Sequence, residues 1–243
     1  MIALALFCGA CSAGAAEVQV AVAANFAAPM ARIAQAFAAQ SGHHAVVSVG
    51  ATGQLYAQIR NGAPFEVFLA ADAATPAKLE DEGLAVAGQR FTYATGKLVL
   101  YSATPGYVDD HGAVLKTGKF AHLALANPAT APYGAAGQQV LQSLGLLDVL
   151  RPRIVQGESI GQAFQFVASG NVELGFVALS QAAPPGQGPG GSMWIVPQDL
   201  YRPILQDAVL LKKGEGHEAA SALLRFLRSD AARDIIRAYG YGT

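Results

Sequence analysis

Val18-Gln19-Val20-Ala21-Val22-Ala23-Ala24-Asn25-Phe26 decides the fold. Val18, Val20 and Val22 alternate with small or polar residues up to Ala23, the period-two pattern of a strand. At Ala24-Asn25-Phe26 the pattern changes, and Met30, Ile33 and Phe37 follow at helical spacing. A strand that turns at once into a helix leaves unpaired backbone N–H groups and the positive end of a helix dipole at the turn. Such a tip can hold an oxyanion without using a cation. The same grammar recurs at Gly50-Ala51-Thr52-Gly53, Ala131-Pro132-Tyr133-Gly134 and Gly157-Glu158-Ser159-Ile160. If the four tips converge they form an anion cage.

Outward from this stretch, Ala45–Val49 reads as a second strand and Thr52-Gly53 opens a short helix with Leu55 and Ile59 on one side. Asn61-Gly62 ends it, and the apolar run from Phe65 to Ala70 gives a third, buried strand before Asp72. This is βαβαβ, the signature of a parallel sheet covered by helices, so the fold class is α/β. The pattern resets around Thr95-Gly96-Lys97. A strand over Leu98–Tyr101 and a loop-rich stretch over Ser102–Gly118 come next. A second series follows: strand Leu123–Ala126, helix Ala135–Leu144, strand Arg153–Gln156, helix Gly161–Ala168 and strand Leu174–Ala178. Pro184–Ser192, all Pro, Gly, Gln and Ser, reads as a surface loop. Trp194–Pro197 and Ala208–Leu211 read as strands. Helices over His217–Leu227, with Leu223 and Leu227 inward, and Asp230–Tyr239, with Ile235 and Ile236 buried, close the chain. The expected organisation is two lobes: 17–96 as the first part of lobe 1, 97–204 as lobe 2, and 205–243 returning to lobe 1. Ligands of such sheets bind outside the carboxyl ends of the strands, where all four tips lie.

Composition narrows the function. With 52% hydrophobic and 14% charged residues in 243, the chain is globular, and a net charge of -1 with dispersed Lys and Arg gives nucleic acid no basic stripe. Residues 1–16 carry no charge, run apolar from Ile2 to Ala10 and end in small residues, as a secretory signal lacking its basic n-region would, with cleavage near Ala16. An apolar core helix is the alternative; at ~20 residues for a bilayer, the stretch is too short to span one. Both cysteines, Cys8 and Cys11, fall in this segment, so a mature chain beginning at Glu17 needs neither a disulfide nor a cysteine-bound metal. Export to a periplasm is the consequence.

The runs Val22–Phe26, Gly50–Tyr56, Phe65–Asp72, Asn127–Gly134, Gly157–Ile160 and Phe226–Tyr241 resemble, in order and along about the whole mature chain, the periplasmic molybdate-binding proteins of ABC importers. That resemblance implies a type II periplasmic binding fold with a tetrahedral oxyanion held between two lobes. Carried over position by position, it implies Asn25 as an amide and N–H donor, Thr52 as a hydroxyl and N–H donor, and Tyr133 and Ile160 as main-chain N–H donors. Phe26 and Ser159 are secondary candidates. Where some relatives carry a Tyr hydroxyl, Ala178 stands here, and Ala24 lacks the hydroxyl of some Asn-type relatives. Either Asn25 compensates or the cage loses a donor. The implied partners are molybdate or tungstate, a membrane permease and its cytoplasmic ATPase, with the receptor a monomer in the periplasm, no cofactor, and molybdenum bound only as the oxyanion.

The chemistry agrees. Molybdate, tungstate and sulfate are fully deprotonated near neutral pH and only accept hydrogen bonds, whereas phosphate keeps a proton and wants an acceptor. Three of the tips contain no carboxylate; Glu158 in the fourth is expected to face outward or support the helix start. Sulfate, of the same charge and shape, remains the alternative ligand. Each assignment has a plainer structural counterpart: Asn25 and Thr52 as ordinary N-caps, Tyr133 and Ile160 as core side chains. A rival of another class is a serine hydrolase: Gly157-Glu158-Ser159-Ile160-Gly161 matches the nucleophile elbow, with Asp207 and His217 following in α/β-hydrolase order. No HGGG-like oxyanion motif accompanies it. Gly186–Gly191 satisfies G-x-G-x-x-G only literally, since no helix begins there, and adjacent His43-His44 lacks a third metal ligand nearby.

Overall fold

In the computed structural model, which describes residues 15–188 and 190–243, β1 (Glu17–Ala23) is buried along most of its length. It pairs in parallel with β2 (His44–Gly50) on one side and β3 (Val67–Leu69) on the other. The signal segment expected over residues 1–16, with Cys8 and Cys11, lies outside the described residues except for Ala15 and Ala16. Helices make the crossovers: α1 (Ala27–Ser41) leads from β1 to β2, and α2 (Thr52–Arg60) from β2 to β3. α1 turns Pro29, Met30, Ile33 and Phe37 inward, each full burial contributing about 1.5–3 kcal/mol. It stops at Gly42, whose φ of 75° is the left-handed cap geometry that glycine adopts without strain.

Beyond β3 the chain forms α3 (Ala74–Asp81) and β4 (Phe91–Gly96), then passes through Lys97 into β5 (Leu98–Ser102) of a second sheet. That sheet is built from α4 (Val114–Thr117), β6 (Leu123–Ala126), α5 (Pro132–Ser143), α6 (Leu147–Leu150), β7 (Ile154–Gly157), α7 (Ile160–Ala168), β8 (Leu174–Ala178), α8 (Leu179–Ala182) and β9 (Ser192–Ile195). The chain then returns as β10 (Ile204–Leu210), which inserts antiparallel between β3 and β4, and ends in α9 (Glu218–Leu227) and α10 (Asp230–Ala238). The strand orders are β2-β1-β3-β10-β4 and β7-β6-β8-β5-β9. Both sheets therefore keep three parallel strands joined by helices and add two strands of mixed direction, a two-lobed α/β architecture.

Several elements differ from the sequence reading: α3 has no counterpart in it, β9 begins at Ser192 and not at Trp194, and β10 begins at Ile204 and not at Ala208. Phe91–Gly96, to which the sequence reading assigns no element, is a strand because β10 supplies its hydrogen-bond partners. α5 begins at Pro132, three residues before the apolar helical pattern at Ala135, since proline at the first helical position sacrifices no needed N–H. In α10 Ile236 is buried but Ile235 is only half-buried. The core of the second lobe reaches across to Ala23, Ala51 and Ala71 of the first. The lobes thus touch at the carboxyl ends of β1, β2 and β3.

Candidate functional site

At that junction a small cavity is lined by Ala23, Ala24, Asn25, Gly50, Ala51, Thr52, Ala71, Ala131, Pro132, Tyr133 and Ile160. All four tips read from the sequence meet there. Asn25, Thr52, Tyr133 and Ile160 are 2%, 2%, 1% and 4% exposed, so the groups they present are withdrawn from bulk water. Phe26 and Ser159 do not line it. Phe26 packs edge-on against the rings of Tyr93 and Tyr241, with centroids 4.7 and 5.4 Å away. Ser159 caps α7 by accepting the Gln162 N–H at 3.2 Å, and borders a neighbouring, wider cleft.

Each tip is a helix start with unsatisfied donors. The short 3-10 turn Ala24–Phe26, α2 and α5 have the N-caps Ala23, Ala51 and Ala131, none of which has a side-chain oxygen to accept an orphan N–H. Among the described residues, the N–H groups of Asn25, Thr52, Tyr133 and Ile160 find no acceptor outside their own helices. Thr52 Oγ1 accepts the Ala71 N–H at 3.0 Å, which leaves the hydroxyl proton free to be donated. Gly53 N–H spans the cleft to the Thr130 carbonyl at 2.9 Å, fixing α2 against the other lobe. At Gly53 a Cβ would lie 3.0 Å from the Thr130 Cα, so glycine permits this close approach.

Electrostatically the cavity is neutral. Its only ionisable side chain is Tyr133, and burial pushes that phenol well above its ordinary pKa, so it stays uncharged. No lysine or arginine lines it. Glu158 is exposed, with its carboxylate 3.4 Å from the Gln54 side-chain nitrogen, and does not enter the lining. A guest here would meet hydrogen-bond donors and helix-dipole ends with no countercharge, the environment that suits a compact anion with acceptor oxygens.

Beneath the cavity lies a polar cluster that sequence reasoning missed. Asn25 Nδ2 donates to Gln206 Oε1 at 2.9 Å and to the Tyr241 hydroxyl at 3.0 Å. Gln206 Nε2 reaches the Tyr133 hydroxyl at 3.0 Å, and Ser180 Oγ donates to the Asn25 carbonyl at 3.0 Å. The last two bonds join residues of the first sheet's elements to residues of the second. The available signal was Gln206-Asp207, a polar pair interrupting an otherwise apolar strand.

The hydrolase constellation is not assembled. Ser159 is occupied as a cap, Asp207 is bound by Arg90 Nη1 at 2.6 Å and Thr92 Oγ1 at 2.7 Å, and His217 Nδ1 pairs with Glu66 Oε1 at 2.5 Å. Ala178 sits fully buried at the end of β8 and does not line the cavity.

The model of the bacterial extracellular solute-binding protein family matches residues 18–242. The chain belongs to that family. Within it, a molybdate-binding protein ModA of Azotobacter vinelandii is 63% identical over 96% of this chain and 92% of its own length. Its counterpart from Rhodobacter capsulatus is 54% identical over 99% and 94%. The solved structure of the Azotobacter vinelandii periplasmic molybdate-binding protein superposes with a TM-score of 0.91 at 46% identity, covering 93% of this chain and 99% of the other. The resemblance to molybdate-binding proteins read from the six sequence runs therefore holds along the chain, and a solute-binding protein of this family is a transport component and not an enzyme. Among the described residues no helix is long and apolar enough to cross a membrane.

Proposed function

We propose that this solute-binding protein captures molybdate, and tungstate with it, in the periplasm and delivers the dianion to a membrane permease driven by a cytoplasmic ATPase. Lobe 1 comprises 17–96 and 205–243, lobe 2 comprises 97–204, and Asn25, Thr52, Tyr133 and Ile160 hold the oxyanion between them. The observation that carries this reading is the convergence of four helix starts, three with alanine caps, on one small uncharged cavity. Each hydrogen bond from a neutral donor to an anion contributes about 1.5–3 kcal/mol, so a handful suffices for tight binding in a water-excluded site. The relatives bind molybdate by name, which favours it over sulfate, whose oxygens the same donors would also satisfy.

The test is calorimetric competition among molybdate, tungstate, sulfate and phosphate on the purified mature protein. Molybdate and tungstate are expected to compete for one site, with sulfate weaker and phosphate weakest. Binding of phosphate as tight as molybdate would refute the assignment, because nothing but donors would then not be what the ligand meets.

A further inference from the structure

Gln206 lies in β10, fully buried, at the point where the pairing with β4 shifts register between Gln206 and Asp207. A bulge there turns a polar side chain into the junction of the lobes. As oriented, its Oε1 accepts from Asn25 Nδ2 at 2.9 Å and from the Tyr93 hydroxyl at 3.1 Å, and its Nε2 donates to the Tyr133 hydroxyl at 3.0 Å. Two faults remain in this arrangement. Asn25 Oδ1 is buried with no hydrogen-bond partner. The single Tyr93 hydroxyl proton also faces two acceptors, Gln206 Oε1 and the Ala70 carbonyl at 3.0 Å. An orphaned buried acceptor costs about 1–3 kcal/mol.

Turning both amides over by half a rotation relieves the competition for the Tyr93 proton, gives Asn25 Oδ1 its donors and passes the vacancy to the Asn25 nitrogen. Gln206 Nε2 then donates to Asn25 Oδ1 and to the Tyr93 oxygen, while Tyr93 gives its one proton to Ala70. Tyr133 donates to Gln206 Oε1. Tyr241, whose oxygen is 3.0 Å from the Asn25 amide, moves its proton from the Asn25 carbonyl, 2.8 Å away, to Oδ1, and Ser180 keeps that carbonyl. Phenols and hydroxyls both donate and accept, so the rearrangement needs no movement of their heavy atoms. The group left without a protein partner is now Asn25 Nδ2, a donor, on a residue that lines the cavity.

We infer that Gln206 is a specificity-determining positioning residue: by donating to Asn25 Oδ1 it turns the Asn25 amide into a donor for a fully deprotonated oxyanion and against a protonated one. The opposite orientation would leave an acceptor unpartnered, the group that hydrogen phosphate requires. This rests on the reading of Asn25 as a ligand residue.

The experiment uses the mature protein labelled with 15N-asparagine and 15N at the backbone, titrated with molybdate, together with Gln206→Glu and Gln206→Met. In the wild type the Asn25 side-chain NH2 resonances, identified by their loss in Asn25→Ser, are expected to shift on molybdate binding along with the Thr52, Tyr133 and Ile160 N–H signals. Gln206→Glu, read at a pH where the new carboxylate is ionised and presents only acceptors, holds Asn25 Nδ2 to itself and, beyond a charge repulsion common to both anions, is expected to weaken molybdate roughly ten- to a hundredfold more than phosphate. Gln206→Met removes the donor without adding an acceptor, so it is expected to lower thermal stability and to narrow the molybdate-to-phosphate ratio, by less than Gln206→Glu does. Backbone signals that shift while the Asn25 NH2 stays still would overturn the inference and leave the cavity assignment standing. Equal loss of both anions in the two variants would overturn it as well. If none of the backbone signals moves, the cavity assignment itself falls. Should Gln206→Glu fail to fold, the wild-type NH2 resonances decide alone.

Discussion

Replacing Thr52 by valine separates the two ends of one hydroxyl. The oxygen accepts the N–H of Ala71, a residue 2% exposed, and the proton is left for the ligand. Valine keeps the branched shape and removes both bonds. The lost donor to a dianion costs about 1.5–3 kcal/mol, a drop in affinity of roughly ten- to 150-fold. The orphaned Ala71 N–H costs about 1–3 kcal/mol of folding stability, and for a chain of this size about 2–4 °C of Tm per kcal/mol. Thr52→Ser retains both bonds and serves as the control. Calorimetry with molybdate gives the first quantity and thermal unfolding without ligand gives the second. A Thr52→Val protein that melts earlier as expected yet binds molybdate like the wild type would show that the hydroxyl only braces β3 against α2, and the donor role would be wrong.

Gly96→Ala places a Cβ on the Tyr133 hydroxyl and 2.7 Å from Gln206 Nε2, so it is expected to break the bond between them and lower both Tm and molybdate affinity; unchanged calorimetry would show that the two lobes do not need it. Burial, set against the bonds from Thr75, raises the Asp72 carboxyl above its ordinary pKa. The contribution of a raised group is lost as pH rises through its folded pKa, so ionised Asp72 costs stability at pH 7. Asp72→Asn is therefore expected to raise Tm at pH 7, by an amount that shrinks as pH falls toward the unfolded carboxyl range near ~3.9. A gain that is the same at both ends of a pH series of melts would contradict this. Ser159→Ala removes the α7 cap and should cost about 0.5–2 kcal/mol in unfolding experiments, with molybdate affinity changed less than by Thr52→Val. Ala131→Ser is expected to do the reverse, raising the ligand-free Tm and weakening molybdate.

How far the sequence reaches depends on whether a signal is local. β1 and α1 are written in period-two and helical patterns within a few residues of each other, and the four strand-to-helix turns are equally local, so the convergence of Asn25, Thr52, Tyr133 and Ile160 follows from topology alone. β4 is different. Ala94 and Gly96 weaken its strand pattern, and it is completed by β10, more than a hundred residues later, which pairs with it. The cluster under the cavity is hidden for the same reason: Asn25, Tyr133, Ser180, Gln206 and Tyr241 are scattered along the chain, and only Gln206, beside Asp207 in an apolar strand, hints at a buried polar role. A resemblance carried the residues proposed to meet the ligand and was silent on the cluster beneath them.

The caps themselves then make physical sense. An N-cap oxygen bonds the N–H of the second or third helical residue. In the 3-10 turn and in α5 the second residues are Asn25 and Tyr133, whose N–H groups the oxyanion would take, and both caps are alanine. Pro132 ahead of Tyr133 has no N–H at all, so the Tyr133 N–H is the first that α5 can offer. In α7 the proposed donor is Ile160, the first residue, and there a serine cap is tolerated because its oxygen goes to Gln162, the third. Alanine at a cap costs about 0.5–2 kcal/mol relative to serine or asparagine. That deficit in the ligand-free protein is what binding relieves: a ligand at a hundred times its Kd stabilises the fold by about 2.7 kcal/mol. A serine at 131 would fill the same vacancy from within, which is why it should stabilise the empty receptor and compete with its guest.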